Sequence, residues 1–199
     1  NYEPSIEIQT FIKKYKYFIY VGFGSIENFS SKKYEIIDAI KCFLHFMIDE
    51  NSNEYGGIIC INNQSIVEEL QIFIDKLKDK VILVSYIPHY WIFPKCKIAI
   101  IHGGVGTTMN ALRYDVVPII LPSERDQFFW ADLLFQKGYS PQTFPLSKCS
   151  DSKLINIIQM VLHNESYCKR VKKISAKILE ENGNENAIEF IEKNLNTKP

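Results

Sequence analysis

Two short apolar runs, Ile98-Ala99-Ile100-Ile101 and Ile119-Ile120-Leu121, most constrain what this chain can become. Continuous apolar runs of this length make strands buried on both faces, as in a parallel sheet. The first run leads into His102-Gly103-Gly104-Val105-Gly106-Thr107-Thr108, and then into helix-compatible Met109 to Arg113. A strand, a glycine turn and a helix start together leave unpaired backbone N–H groups at a partly positive helix end. Glycines there let an anion approach the backbone, and Thr107 and Thr108 add hydroxyls. Taken alone, the loop fits an ordinary strand-to-helix turn as well as a phosphate cradle. It is not a P-loop, since no Lys-Ser or Lys-Thr follows, and it is not GxGxxG. The second run ends at Pro122, and Asp126-Gln127 opens an apolar helix from Phe128 to Phe135. Neighbouring strands therefore both deliver polar groups at their C-terminal ends, where ligands sit in open α/β sheets.

The rest of the chain reads as alternating strands and helices. Strands are predicted at Tyr17 to Phe23, Gly57 to Ile61 and Val81 to Val84. Gly22-Phe23-Gly24-Ser25 follows the first, either as a plain turn or as a loop facing a ligand. Ser30-Ser31 is placed as the cap of a helix whose face is Ile37, Ile40, Leu44 and Met47, with His45 at the surface or the core edge. Asn51 to Gly57 reads as a turn, and Ser65 as the cap of a helix bearing Ile66, Leu70, Phe73 and Leu77. Trp91, Ile92 and Phe93 read as core. Lys137-Gly138 ends a helix, Tyr139 to Leu146 is a loop or edge strand, and helices are expected over 151–163, 165–181 and 184–195. A lead-in with a short helix at Ile6 to Lys13 precedes all this. The fold class is α/β, a Rossmann-like parallel sheet with helices on both faces, with residues 1–199 forming one domain.

Charge balances, with 23 basic and 23 acidic residues, which gives no footing for a nucleic-acid partner. No apolar run approaches the roughly 20 residues that span a bilayer, and the first residues carry no signal-peptide pattern. The five cysteines (Cys42, Cys60, Cys96, Cys149, Cys168) are scattered, without CxxC spacing, and read as reduced thiols. No Asp-x-Asp occurs, and no metal site is expected.

The segments IPHYWIFPK, IHGGVGTT, LR and DQFFWA, with YVGFGSI upstream and a G-x-x-N-A-x-x-x-I-E helix at Gly183 to Glu192, resemble the donor-binding half of GT-B nucleotide-sugar glycosyltransferases. The likeness runs to sterol 3-beta-glucosyltransferases and related antibiotic glycosyltransferases. It implies a domain that binds a UDP-sugar, with no metal cofactor, and transfers a hexose such as glucose with inversion. Gly24, Ser25, Tyr86, Ile87, His89, His102, Gly104, Gly106, Thr107 and Thr108 would hold the nucleotide and its diphosphate. Tyr86 would stack on the base and the Ile87 backbone would pair with its edge; Tyr86 and His89 stand where the wider family often has Trp and Gln. Asp126 and Gln127 would read sugar hydroxyls, though Asp126 is also a good N-cap.

By the same likeness an N-terminal acceptor-binding domain precedes this segment and supplies the catalytic base. No catalytic residue is assigned within residues 1–199. The acceptor would be a sterol or another hydrophobic alcohol, and the compartment the cytoplasm, peripheral to a membrane's cytoplasmic face. Two positions depart from the family pattern. Where R-x-G-x-P is usual, the chain has Arg113-Tyr114-Asp115-Val116-Val117-Pro118, and Arg125 replaces the small residue, often glycine, before Asp-Gln. Two other readings remain open: an inactive nucleotide-sugar binding module, and part of a GT-B-fold sugar-nucleotide epimerase, which DQFFWA fits poorly.

Overall fold

The computed structural model describes residues 2–49 and 54–195. Five strands, β1 (Tyr17–Gly22), β2 (Tyr55–Cys60), β3 (Val81–Val84), β4 (Cys96–Ile101) and β5 (Val117–Ile120), form one parallel sheet in the order β3-β2-β1-β4-β5. Successive connections run outward from β1 through α2 (Lys33–Asp49) and α3 (Gln64–Lys76). They then return across the sheet to β4 and run outward again through α5 (Val105–Arg113). Right-handed crossovers going in opposite directions place α2 and α3 on one face and α5 on the other. The short helix α1 (Ile6–Ile12) precedes β1, and α4 (His89–Ile92) lies between β3 and β4. After β5 come α6 (Asp126–Gln136), α7 (Asp151–His163), α8 (Glu165–Glu180) and α9 (Gly183–Leu195). α7 packs on α2, and α8 packs on α5.

Continuous burial explains the central strands. Ile19, Val21, Ile98, Ala99, Ile100 and Ile101 are fully buried, as expected for strands covered on both faces. The α2 face is as read, with Ile37, Ile40, Leu44 and Met47 all buried. His45 joins that helix to α7 through an Nδ1–Asp151 contact of 3.0 Å. Gly138, at φ 73°, follows the capping Lys137 at the end of α6, as the Lys-Gly pair predicts.

Some boundaries move. β2 begins at Tyr55, so Tyr55 and Gly56 are strand rather than turn, and Gly57 is strand as the run to Ile61 predicts; Asn51 to Asn53 of the expected turn lie outside the described residues. The two glycines there serve packing: a Cβ on Gly57 would lie 2.9 Å from both Phe43 and Val81. β1 ends at Gly22, and a 3-10 turn occupies Gly24–Asn28. Ser65 is not the cap of α3. Asn63 is, its side-chain oxygen accepting the Ser65 and Ile66 N–H groups at 3.1 and 3.4 Å. Ser30 and Ser31 form a 3-10 turn before α2 without a side-chain cap. Ile92 and Phe93 are core, while Trp91 is half-buried with the Lys95 ammonium 4.2 Å above its ring. The segment after Tyr139 is loop. α9 buries no residue, and its apolar side chains Ile188, Phe190, Ile191 and Leu195 are all exposed. Among the described residues no helix is long and apolar enough to cross a membrane.

Candidate functional site

The order in which the parallel strands are laid down reverses between β1 and β4, and there the loops after two adjacent strands diverge, leaving a crevice. Gly22 pairs with Ile101, so the Gly24-Ser25 turn and His102 emerge side by side. His102 is 7% exposed and wedged between two glycines. A Cβ on Gly24, whose φ is 58°, would fall 2.9 Å from its Cε1, and one on Gly104 would collide with its Nε2. The glycines thus let both loops close on one imidazole. Burial lowers the His102 pKa, opposed by the nearby Asp126 carboxylate, so the ring is held neutral. Among the described residues its Nδ1 has no hydrogen-bond partner, and neither has the fully buried Thr108 hydroxyl on α5. Buried polar atoms left without partners are uncommon and call for an explanation such as a ligand group.

α5 starts at Val105 with Gly104 as a cap that offers no side-chain hydrogen bond. Thr108 N–H already bonds the Gly104 carbonyl at 3.0 Å, which leaves the amides before it as donors at the positive helix end. Gly106 is exposed, and a Cβ there would meet nothing, so the space before this turn is open. Ser25 is exposed on the facing loop, and Thr107 is half-buried.

Beside this lies a cavity of about 190 Å³, whose wall includes Tyr20, Glu27, Asn62, Ile87, His89 and Thr107. A second hollow of about 270 Å³ adjoins it, sharing Ile87 and His89 and bounded by Tyr86, Tyr90 and Asn110. Tyr86 is 68% exposed, so its ring is available as a stacking surface. His89 stacks on Phe93 with centroids 4.4 Å apart, and its Nε2 lies 3.5 Å from the Tyr20 hydroxyl. Burial lowers its pKa as well. Gly24, Tyr86, Ile87, His89 and Thr107 thus line two adjoining hollows, and His102, Gly104, Gly106 and Thr108 stand at the α5 end of the crevice.

Among the lining residues that went unread in the sequence are Tyr20, Glu27 and Asn62. Glu27 is 7% exposed, and its carboxylate accepts the Asn62 N–H at 3.0 Å. Burial raises its pKa while that hydrogen bond opposes the rise. Asn63 also donates to the Glu27 carbonyl at 2.8 Å, tying the loops after β1 and β2 together. A lone Glu two residues beyond Gly24-Ser25 carries no sequence signal for this role.

At the start of α6 the two sugar-reading candidates part company. Asp126 is exposed at the first helical position, and the cap is Arg125, not Asp126. Gln127 is buried, and its Oε1 accepts from Ser123 N–H at 2.9 Å, Ser123 Oγ at 3.2 Å and Glu124 N–H at 3.1 Å. Its oxygen is engaged within the loop, which leaves the amide N–H₂ as what it can offer a ligand. Both departures from the expected glycine pattern retain a left-handed backbone: Asp115 has φ 63° and Arg125 φ 36°. Aspartate tolerates this region. Arginine does not, and Arg125, with ψ −114°, stores strain on the order of 1–3 kcal/mol. Among the described residues no three His, Cys, Asp or Glu side chains converge as metal ligands, and all five cysteines are free.

The family of erythromycin biosynthesis protein CIII-like C-terminal domains matches residues 58–192. A sterol 3-beta-glucosyltransferase of Vanderwaltozyma polyspora is 32% identical over 203 residues, covering 96% of this chain and 15% of that protein. Among solved structures, the glycotransferase of kitacinnamycin superposes with a TM-score of 0.75 at 15% identity, over 91% of this chain and 44% of that one. UDP-glucose: anthocyanidin 3-O-glucosyltransferase in complex with UDP superposes with a TM-score of 0.71 at 13% identity, over 90% and 40% respectively. The chain therefore spans only 15% of that relative's length and under half of these structural neighbours. With the sheet order, the glycine-bounded histidine and the family match in agreement, the chain belongs to the CIII-like C-terminal domain family of GT-B glycosyltransferases.

Proposed function

We propose that this chain is the donor-binding half of an inverting glycosyltransferase, which moves a hexose from a UDP-sugar to the hydroxyl of a sterol or similar hydrophobic acceptor. The observation that carries the reading is His102, buried between Gly24 and Gly104 at the sheet's switch point, its Nδ1 without a partner among the described residues. A diphosphate at this point would meet a neutral imidazole, the free amides of α5 and the Ser25 and Thr107 hydroxyls. As the acceptor oxygen attacks the anomeric carbon, the bond to the diphosphate breaks and negative charge grows on the leaving group. Fixed donors aimed at that charge lower the barrier without a metal. Tyr86 would stack on the base, and Asp126 would accept from sugar hydroxyls. The relatives' name favours glucose as the sugar and a sterol as the acceptor. An acceptor-binding half, with the base that takes the acceptor's proton, belongs to this reading. So does a cytoplasmic position at a membrane face, where a sterol would be met.

Calorimetric titration of the purified chain with UDP-glucose, UDP and ADP tests it. Saturable binding selective for the uridine nucleotides is expected. Asp126→Ala should weaken UDP-glucose roughly tenfold, the size of one lost charge-assisted hydrogen bond, and leave UDP unchanged. A folded chain that binds none of the three, or binds ADP as well as UDP, overturns the proposal.

A further inference from the structure

The cavity of about 190 Å³ beside the crevice holds a buried acid that a diphosphate would not use. Glu27 is 7% exposed and lies in the 3-10 turn after β1. It is fixed from two sides. Its carboxylate accepts the Asn62 N–H at 3.0 Å, and its backbone carbonyl accepts from the Asn63 side chain at 2.8 Å. Among the described residues, Asn62 is the one donor to that carboxylate. A carboxylate has about four lone-pair positions, so most of its accepting capacity is left for the cavity it lines. Burying such a group costs free energy unless donors meet it.

The position of the cavity says where those donors come from. It is smaller than the roughly 300 Å³ or more that houses a whole small ligand, so it takes one ring of a larger one. On one side it shares Ile87 and His89 with the hollow where Tyr86 offers its ring. On the other it reaches Gly24 and Thr107, at the α5 end of the crevice. In a nucleoside diphosphate, the group between the base and the phosphates is the ribose. A phosphate in this cavity would face a buried anion in a medium that screens poorly. A ribose instead brings its 2′ and 3′ hydroxyls, two O–H donors on neighbouring carbons, which reach the two oxygens of one carboxylate. Hydrogen bonds to an ionised acceptor are about twice as strong as neutral ones.

We propose that Glu27 is a specificity-determining residue that accepts the ribose 2′ and 3′ hydroxyls of the donor nucleotide, and so selects a ribonucleoside diphosphate sugar over its deoxyribose counterpart. The inference rests on the donor-site reading above and deepens it.

Titration of the wild-type chain, Glu27→Gln and Glu27→Ala with UDP, 2′-deoxy-UDP and 3′-deoxy-UDP tests it. The wild type should bind UDP roughly tenfold more tightly than either deoxynucleotide, the size of one lost charge-assisted hydrogen bond. Glu27→Gln keeps the side-chain shape and an oxygen for the Asn62 N–H but loses the charge. Glu27→Ala loses the tie between the loops as well. The preference should shrink in Glu27→Gln and vanish in Glu27→Ala. Loosened loops would weaken all three nucleotides together, so the ratio of affinities separates hydroxyl contact from a structural role. Equal wild-type affinity for UDP and the deoxynucleotides overturns the proposal and leaves the donor site standing. A preference undiminished in either variant does the same, since the hydroxyls then belong to another residue. A folded wild type that binds none of the three removes the donor-site reading and this inference together.

Discussion

His102 concentrates much of the site's chemistry in one side chain. The sequence showed it at a strand end beside glycines, but not why those glycines are there. The reason is a long-range contact, since Gly24 reaches it from the loop after a different strand. Its titration gives a stability prediction. Burial holds the folded pKa below the unfolded value of roughly 6.5, so the unfolded chain takes up the proton first. The stabilisation is therefore complete above that value and is lost as pH falls from it through the folded pKa. His89 is shifted in the same direction by the same cause and adds to the effect. Chemical denaturation between pH 7.5 and 5.5 should show falling stability, and His102→Gln should flatten the slope without abolishing it. A wild type whose stability is unchanged across this range would refute the burial argument.

At the level of elements, apolar runs and helical faces made most of the architecture legible. All five strands and the long helices fall within a few residues of their sequence positions, because each is a local pattern imposed by one buried face or two. What could not be read depends on partners distant in the chain. Gly56 looks like part of a turn but lies in β2, where neighbouring side chains leave no room for a Cβ. The Gln127 amide looked free to read a sugar, yet its oxygen closes its own loop. Glu27 gave no signal because its burial comes from the Asn62 loop. α9 supplies a prediction at this scale. Its amphipathic pattern is plain in the sequence, yet none of its residues is buried. Ending the chain at Asn182 should therefore shift the melting temperature by no more than about 2 °C, since residues that bury no side chain contribute little. Differential scanning calorimetry of the two lengths checks this, and a drop of many degrees would show that α9 packs on the sheet domain in solution.

For the whole molecule, the donor-binding reading separates binding from turnover. On that reading the described residues would hold a diphosphate and a sugar, and none is assigned to take the acceptor's proton. Incubating the purified chain with UDP-glucose and a sterol should yield no glycoside above the uncatalysed background, although the nucleotide binds. Product formed at a rate proportional to chain concentration would contradict this division of labour. The order of the strands also bears on how the protein comes to exist. β1 lies at the middle of the sheet, and one of its neighbours, β4, is separated from it in sequence by β2, β3 and the helices between them. During synthesis, β1, β2 and β3 emerge first and can pair with one another, while the other edge of β1, lined by Ile19 and Val21, waits uncovered. An apolar strand with an open edge is prone to pair with the wrong partner. The crevice around His102 is completed only when β4 docks there, so a nascent chain halted before Cys96 would be an aggregation-prone, ligand-blind intermediate and a natural client for chaperones.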